Sequence, residues 1–103
     1  MYQVKKRDGS ITEFNLGKIT AAITQAFEAQ DTQYHPSVID FLALKVTADF
    51  ESKIHNSIIS VEDIQDSVEE VLVQAGYAEV AKAYILYRRM HEKMRNIKST
   101  ILD

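Results

Sequence analysis

Four cations near the N-terminus have the residue types and the spacing of a phosphate-binding group. Lys5, Lys6 and Arg7 are consecutive and precede an Asp-Gly pair, and Lys18 follows in the first turn of a predicted helix. Ammonium and guanidinium groups bind phosphates through charge-assisted hydrogen bonds, and the free N–H groups at a helix start add to them. An exposed basic edge strand, which discourages pairing with other chains, explains the same residues equally well.

A β-hairpin is predicted to hold the first three of these cations. Residues 2–6 and 11–14 alternate apolar and polar side chains, and the Asp8-Gly9 pair between them is a strong turn signal. Because neighbouring side chains on a strand point to opposite faces, Lys5 and Lys6 cannot both face one site directly. The predicted apolar face of the hairpin comprises Tyr2, Val4, Ile11 and Phe14.

Four helices are predicted after the hairpin. Asn15 can cap the first, which should run to about Ala29, and Pro36 suits the first position of the second, which should run to about Lys53. Ser60 with a carboxylate three residues later is a capping signal for the third, and Gly76 ends it. The fourth is expected from about Ala78 to at least Lys98.

The apolar faces of these helices follow from helical periodicity. For the second helix the predicted face comprises Val38, Phe41, Leu42, the Lys45 stem, Ala48 and Phe50. For the fourth it comprises Val80, Ala83, Tyr84, Tyr87, Met90, Met94 and Ile97.

A third, short strand is predicted at Ser57–Ile59, and its natural place is beside the hairpin. The predicted fold class is therefore α+β and mainly helical, a four-helix bundle capped by a small three-stranded sheet. The last helix has no Gly or Pro stop before Asp103, so we expect the natural protein to continue beyond it.

The charge is unevenly distributed, with an acidic middle between two basic ends. The chain carries −3 overall, and residues 1–18, 19–81 and 82–103 carry +2, −9 and +4. A nucleic-acid-binding domain is usually basic throughout, so the acidic middle argues against DNA as a ligand. A small anionic ligand between the two ends fits better, although solvated charged faces would give the same pattern.

Composition excludes several other classes. There is no Cys, which removes disulfides, thiol chemistry and zinc ribbons, and His35, His55 and His91 lack metal-ligand spacing. No enzyme motif is present. No apolar run approaches the roughly 20 residues that span a membrane, and the N-terminus lacks the apolar region of a secretory signal. We therefore expect a cytoplasmic binding domain that is not itself an enzyme and meets neither membrane nor nucleic acid.

The last helix offers a second group for a ligand. Tyr84 and Tyr87 lie on its apolar stripe, so core packing is the first interpretation. A tyrosine at the edge of the stripe could still flank a base. Arg88 follows Tyr84 by four residues, which puts it on the same side of the helix, and it could reach a phosphate.

Three blocks of sequence together resemble the ATP-cone domain family. They are V-K-K-R-D-G-S-I-T-E-F-N-L-G-K-I near the start, I-S-V-E-D-I-Q-D-S-V-E-E-V-L in the middle and A-K-A-Y-I-L-Y-R-R near the end. Their order and spacing follow the family, and the resemblance covers almost the whole chain. The family fold is a three-stranded sheet capping a four-helix bundle, which agrees with the prediction above.

The resemblance implies a regulatory domain at the N-terminus of a ribonucleotide reductase, where ATP activates and dATP inhibits DNA precursor synthesis. The tail from Tyr87 to Asp103 resembles the lead into an anaerobic reductase. A zinc ribbon precedes the cone of the family's transcriptional repressor, and the absence of Cys argues against that protein. We expect the cone to occupy residues 1–98 and a linker to a catalytic domain to begin at 99–103.

The resemblance also implies a set of site residues. Lys6 and Arg7 contact phosphates, Lys18 supplies another cation, and Asn15 lies beside the ligand. Val4 and Ile19 line the base. The rest of the expected nucleotide-binding set is Lys5, Gly9, Thr12 and Arg88. Thr12 departs from those reductase cones that have an acidic residue there, which makes discrimination between ribose and deoxyribose less certain.

The expected effectors are ATP and dATP with Mg²⁺, and the expected partners are the parent catalytic domain and a second copy, in a nucleotide-dependent homo-oligomer. Two other functions remain open. They are an ATP-cone of another nucleotide-regulated protein and a helical protein–protein interaction module that binds no nucleotide.

Overall fold

The computed structural model describes residues 2–102, with side chains for residues 2–98. The elements are β1 Gln3–Lys5, β2 Ile11–Glu13, α1 Leu16–Ala29, α2 Pro36–Phe50, β3 Ile58–Ser60, α3 Val61–Gln74 and α4 Ala78–Leu102. The strand order is β2-β1-β3, with β1 antiparallel to β2 and parallel to β3. This arrangement confirms the predicted helical α+β class with a three-stranded sheet. Among the described residues, no helix combines the length and the apolar character that a membrane span requires.

The β1–β2 hairpin closes through three residues, Arg7 to Gly9. The Lys6 N–H donates to the Ser10 carbonyl at 2.8 Å, and Gly9 adopts φ +88° at the end of the turn. This register places Val4 opposite Thr12 and Lys5 opposite Ile11. Ile11 is 45% exposed, so its predicted place on the apolar face of the hairpin was wrong.

Tyr2, Val4 and Phe14 do lie on the face of the hairpin that meets the helices. Val4 is 8% exposed and belongs to the core. The Tyr2 and Phe14 rings pack 4.8 Å apart, and both contact Phe50 at the end of α2. The hairpin is therefore stabilised by aromatic packing on the helices, as a marginal two-stranded unit must be.

Helix α1 begins and ends as predicted. The Gly17 N–H donates to the Asn15 Oδ1 at 2.9 Å, which makes Asn15 the N-cap. The buried face comprises Ile19, Ile23, Ala26 and Phe27. A Cβ on Gly17 would lie 3.0 Å from the Asn15 Oδ1, so the glycine leaves room for the cap.

Helix α2 buries a different face from the predicted one. Leu42 and Phe50 are buried as expected, but Phe41 is 59% exposed, Ala48 is exposed and the Lys45 amine lies 5.3 Å above the Phe41 ring in solvent. The full buried set is Ile39, Leu42, Ala43, Val46 and Phe50. The helix is apolar on most of its circumference, so periodicity did not distinguish the face that packs on α1 and α3.

The segment from β3 into α3 contains the predicted strand and the predicted cap, although the strand begins and ends one residue later than predicted. Strand β3 pairs with β1, and Ile59 lies opposite Val4, nearly fully buried. The Ser60 hydroxyl accepts the Asp63 N–H at 3.1 Å as the N-cap of α3. Gly76 follows the helix with φ +91°, which is the left-handed conformation predicted for it.

Helix α4 contributes to the core only along its first half. Val80, Ala81, Ala83 and Tyr84 are buried. The remaining residues of the predicted apolar stripe are exposed by 42% to 63%, and they are Tyr87, Met90, Met94 and Ile97. The prediction that these four pack in the core was therefore wrong. The predicted boundary between residues 98 and 99 falls inside α4, and Asp103 lies outside the described residues.

Candidate functional site

A cleft of about 590 Å³ opens between the hairpin tip, the first turns of α3 and the second half of α4. Polar and charged side chains dominate its lining. The lining residues are Lys6, Arg7, Asp8, Val61, Gln65, Glu92, Arg95 and Asn96. Three cations and two anions thus surround a space that is large enough for a small ligand.

The hairpin tip is held in shape by Asp8. Its carboxylate accepts the Ser10 hydroxyl at 2.6 Å and the Ser10 N–H at 2.9 Å. These two hydrogen bonds lower the pKa of Asp8 below its usual value. Because the carboxylate stays ionised and fixed on the turn, the tip presents Lys6 and Arg7 from a defined loop.

Arg7 ties the hairpin tip to α3. Its guanidinium donates to the Gln65 Oε1 at 2.8 Å and lies 3.1 Å from the Glu62 Oε1. The Arg7 side chain is 28% exposed and that of Glu62 is 42% exposed, so the pair is partly solvated. The pair already shields the Arg7 guanidinium partly from water. The guanidinium can therefore exchange the carboxylate for a phosphate without losing a full hydration shell.

Arg88 is also held by α3. It donates to the Asp66 Oδ1 at 2.8 Å and to the Glu69 Oε1 at 3.0 Å. Burial acts to lower the pKa of Arg88, but the hydrogen bonds to the two carboxylates outweigh burial and raise it. The positions 62, 65, 66 and 69 share one face of α3 by helical spacing, so a single polar face holds both arginines.

Tyr84 and Tyr87 have different environments. Tyr84 is 5% exposed, which confirms the core-packing interpretation, and burial raises the pKa of its hydroxyl to about 12. The charges of Arg88 and Arg7 act on the same hydroxyl and favour its ionisation. Tyr87 is outside the core and packs on the His91 ring at 4.2 Å.

The remaining predicted site residues lie on the hairpin and on α1, outside the lining of this cleft. Val4 and Ile19 are both in the core, and Thr12 is half-buried opposite Val4. Asn15 and the exposed Lys18 stand at the start of α1.

Two other members of the predicted set have different positions. Lys5 lies on the outer face of the hairpin, opposite Ile11 and away from Val4. Gly9 completes the turn, and a Cβ built there meets no atom within 4 Å, so its positive φ and not its small size explains the residue.

The lining or supporting residues that were not predicted include Glu62, Gln65 and Arg95. Glu62 and Gln65 belong to the polar face of α3, which helical spacing could have shown. Arg95 follows Arg88 by seven residues, two turns along the same face of α4. Its approach to the hairpin tip depends on how α4 packs, which no local pattern reports.

No group of three or more His, Asp or Glu side chains within the described residues is placed to hold a metal ion. The carboxylates that line the cleft, Asp8 and Glu92, come from different elements.

Comparison with known proteins identifies relatives over almost the whole chain. A family model described as ATP cone domain matches residues 2–93. The chain is 42% identical over 96 residues to the ribonucleoside-diphosphate reductase subunit alpha of Chlamydia pneumoniae, covering 87% of this chain. It is 34% identical over 99 residues to the vitamin B12-dependent ribonucleoside-diphosphate reductase of Mycobacterium tuberculosis, covering 96%.

A relative of a third type is the anaerobic ribonucleoside-triphosphate reductase of Haemophilus influenzae, at 32% identity over 103 residues and 97% of this chain. The chain spans only 9% of the Chlamydia relative and 14% of each of the other two. These matches therefore concern one small part of much longer proteins.

Proposed function

This chain belongs to the ATP-cone family, and from that premise we propose that it is the allosteric domain of a ribonucleotide reductase, with ATP as activator and dATP as inhibitor. The observation that carries the proposal is the cleft at the hairpin tip, where Lys6 and Arg7 face α3 and α4. Triphosphates carry several negative charges, and these cations meet them on a rigid turn.

In this proposal the ligand lies between the hairpin and the start of α1, with its phosphates at the hairpin tip. Val4 and Ile19 support the base, and Lys6 and Arg7 bind the phosphates. Lys18 adds a cation where the α1 N-terminus already favours anions. Asn15 lies beside the ligand, and Gly9 allows the turn.

Lys5 and Arg88 belong to the proposed nucleotide-binding set through their charge and not through direct contact. Lys5 lies on the outer face of the hairpin, and two carboxylates already bind Arg88. Both residues then attract the nucleotide only at long range through their positive charge, and salt weakens this attraction by screening.

Regulation follows from linkage between nucleotide binding and the arrangement of the domain. ATP and dATP differ by one hydroxyl, and each can shift an equilibrium only by its differential affinity for the two states. In this proposal Thr12 is the residue near the sugar, and its position on the same side of the hairpin as Val4 supports the assignment. A phosphate at Arg7 competes with Glu62 and so alters the contact between hairpin and α3.

The partners in this proposal are the catalytic domain of the parent reductase and a second copy of the cone, in an oligomer that depends on the nucleotide. Mg²⁺ enters with the phosphates. We expect the protein in the cytoplasm. We propose that the parent reductase is of the anaerobic class, which the sequence from Tyr87 to Asp103 resembles. Relatives of three reductase types match this domain. The sequence of the full gene product tests the assignment.

Calorimetry of this chain with ATP and dATP in Mg²⁺ buffer tests the proposal. Lys6→Ala and Lys18→Ala should each weaken binding about tenfold, the loss of one charge-assisted contact. Lys82→Ala removes the same charge from an exposed lysine at the start of α4 and serves as the matched control. If the folded wild-type chain binds neither nucleotide at millimolar concentration, the proposal is wrong.

The competing function is a helical interaction module without a nucleotide. It predicts that neither ATP nor dATP changes the melting temperature, whereas a ligand that binds only the folded state must raise it.

A further inference from the structure

The cations around the cleft fall into two groups according to their partners. Arg7 and Arg88 are each bound by carboxylates of α3. Lys6 and Arg95 line the cleft from the hairpin and from α4, and neither forms an ion pair with any described residue. Two exposed cations thus line one space from two different elements without a direct ion pair among the described residues.

The remaining lining charges are two carboxylates, and the one on Asp8 attracts Lys6. Asp8 accepts two hydrogen bonds from Ser10, and the only other lining anion in the described chain is Glu92, one turn before Arg95 on α4. Like charges that face each other across a cleft are unfavourable unless an anion lies between them. With Lys6, Arg7 and Arg95 against Asp8 and Glu92, the lining keeps a net positive charge, which favours an anionic ligand between the hairpin and α4.

Arg95 lies beyond residues 2–93, the part of the chain that matches the ATP-cone model. Because the family match does not include this residue, its place in the cleft is evident only from the path of α4. Helix α4 continues without interruption to Leu102 and brings the guanidinium back to the hairpin tip.

We propose that Arg95 binds the phosphate farthest from the base, so that the site selects nucleotides by the number of their phosphates. This inference rests on the proposed function. Val4, which supports the base in that proposal, and Lys6, the residue that follows β1, are two positions apart along the hairpin, about 6.5 Å at the rise of a β-strand. A nucleotide that runs from Val4 past Lys6 and Arg7 meets α4 only through its terminal phosphate.

A planar guanidinium suits this role because it binds two oxygens of one phosphate at once. A triphosphate would then join the hairpin to the exposed second half of α4, whereas a monophosphate would contact the hairpin alone. ATP and dATP have the same phosphate chain, so Arg95 should affect both equally and leave the choice between them to the sugar contacts.

The test is titration calorimetry of ATP, dATP and AMP with wild type, Arg95→Gln and Lys93→Gln. Lys93 is the matched control, since it is an exposed cation on the same helix and does not line this cleft. We expect Arg95→Gln to weaken ATP and dATP about tenfold and AMP less than twofold. Lys93→Gln should change all three less than twofold.

Equal losses for ATP and AMP, or equal effects of the two substitutions on ATP, would overturn the role of Arg95 and leave the nucleotide site itself intact. If wild type binds no nucleotide, the proposed function fails instead. Circular dichroism checks the fold of each variant. Arg95→Lys provides a second measurement that keeps the charge and loses the bidentate contact, and it should lie between wild type and Arg95→Gln for ATP.

Discussion

Glu62→Gln should increase the affinity for ATP, because Glu62 competes with phosphate for Arg7. The guanidinium lies 3.1 Å from the carboxylate, and the two side chains are 28% and 42% exposed. At the dielectric constant of water, two unit charges at this distance attract by about 1.3 kcal/mol. Exposed pairs measured in proteins contribute about 0.2–1 kcal/mol after entropy and screening. Freeing Arg7 from this pair should therefore tighten ATP binding by a factor of about 1.4 to 5.

The control for this prediction is Glu79→Gln. Glu79 is also a glutamate in the first turn of a helix, it pairs with Lys82 at 3.3 Å, and it does not line the cleft. Both substitutions change the net charge and the helix-terminal charge equally. The comparison therefore separates local competition at Arg7 from the general attraction of a less acidic protein for an anion.

The assay is calorimetry of ATP at low and at physiological ionic strength. The advantage of Glu62→Gln over Glu79→Gln should shrink as salt rises, because partly exposed charges are screened. An ATP affinity equal to that of the control would refute the competition. A loss of affinity would show that Glu62 holds Arg7 in position for phosphate instead of withholding it.

Three further predictions concern stability. Ser67→Ala should raise the free energy of unfolding by about 1 kcal/mol in chemical denaturation, because the Ser67 hydroxyl is buried without a hydrogen-bond partner among the described residues; a loss of similar size would contradict this. Between pH 10 and 12, the free energy of unfolding of wild type should fall by about 2–3 kcal/mol relative to that of Tyr84→Phe. The pKa of Tyr84 in the folded protein, about 12, exceeds its pKa in the unfolded chain, so the unfolded state ionises first. Parallel pH dependences of the two proteins would argue against a buried phenol. Ile39→Ala should lower the free energy of unfolding by about 2–4 kcal/mol and Phe41→Ala by less than about 1 kcal/mol, as measured by thermal unfolding. Ile39 is 2% exposed and Phe41 is 59% exposed. The reverse order would support the buried face of α2 that was predicted from sequence.

Local chemistry explains why most element boundaries were predictable. Asn15 and Ser60 satisfy N–H groups of their own helices, and Gly76 takes a backbone conformation that other residues avoid. These effects depend on residues two or three positions away, so they are visible in the sequence. The third strand was also predictable, since Ile58 and Ile59 follow a break and precede a cap.

The face of an element was less predictable than its extent. In the hairpin, a two-residue loop at Asp8-Gly9 would have placed Ile11 on the side of Val4, and the observed three-residue loop moves the register by one residue. In α2, apolar residues surround most of the helix, and only its neighbours determine which of them are buried. In α4, the apolar stripe continues beyond the point where other described elements pack on it.

The family and the group of cations at the N-terminus were determined by the sequence alone, because both are patterns of residue type and spacing along the chain. The partners of those cations were decided by the tertiary structure. Glu62, Asp66 and Glu69 reach Arg7 and Arg88 only when α3 lies between the hairpin and α4. Arg95 meets Lys6 only across a cleft between elements about ninety residues apart in the chain. The strength of an electrostatic contact depends on distance and solvent exposure, and the packing of the helices sets both.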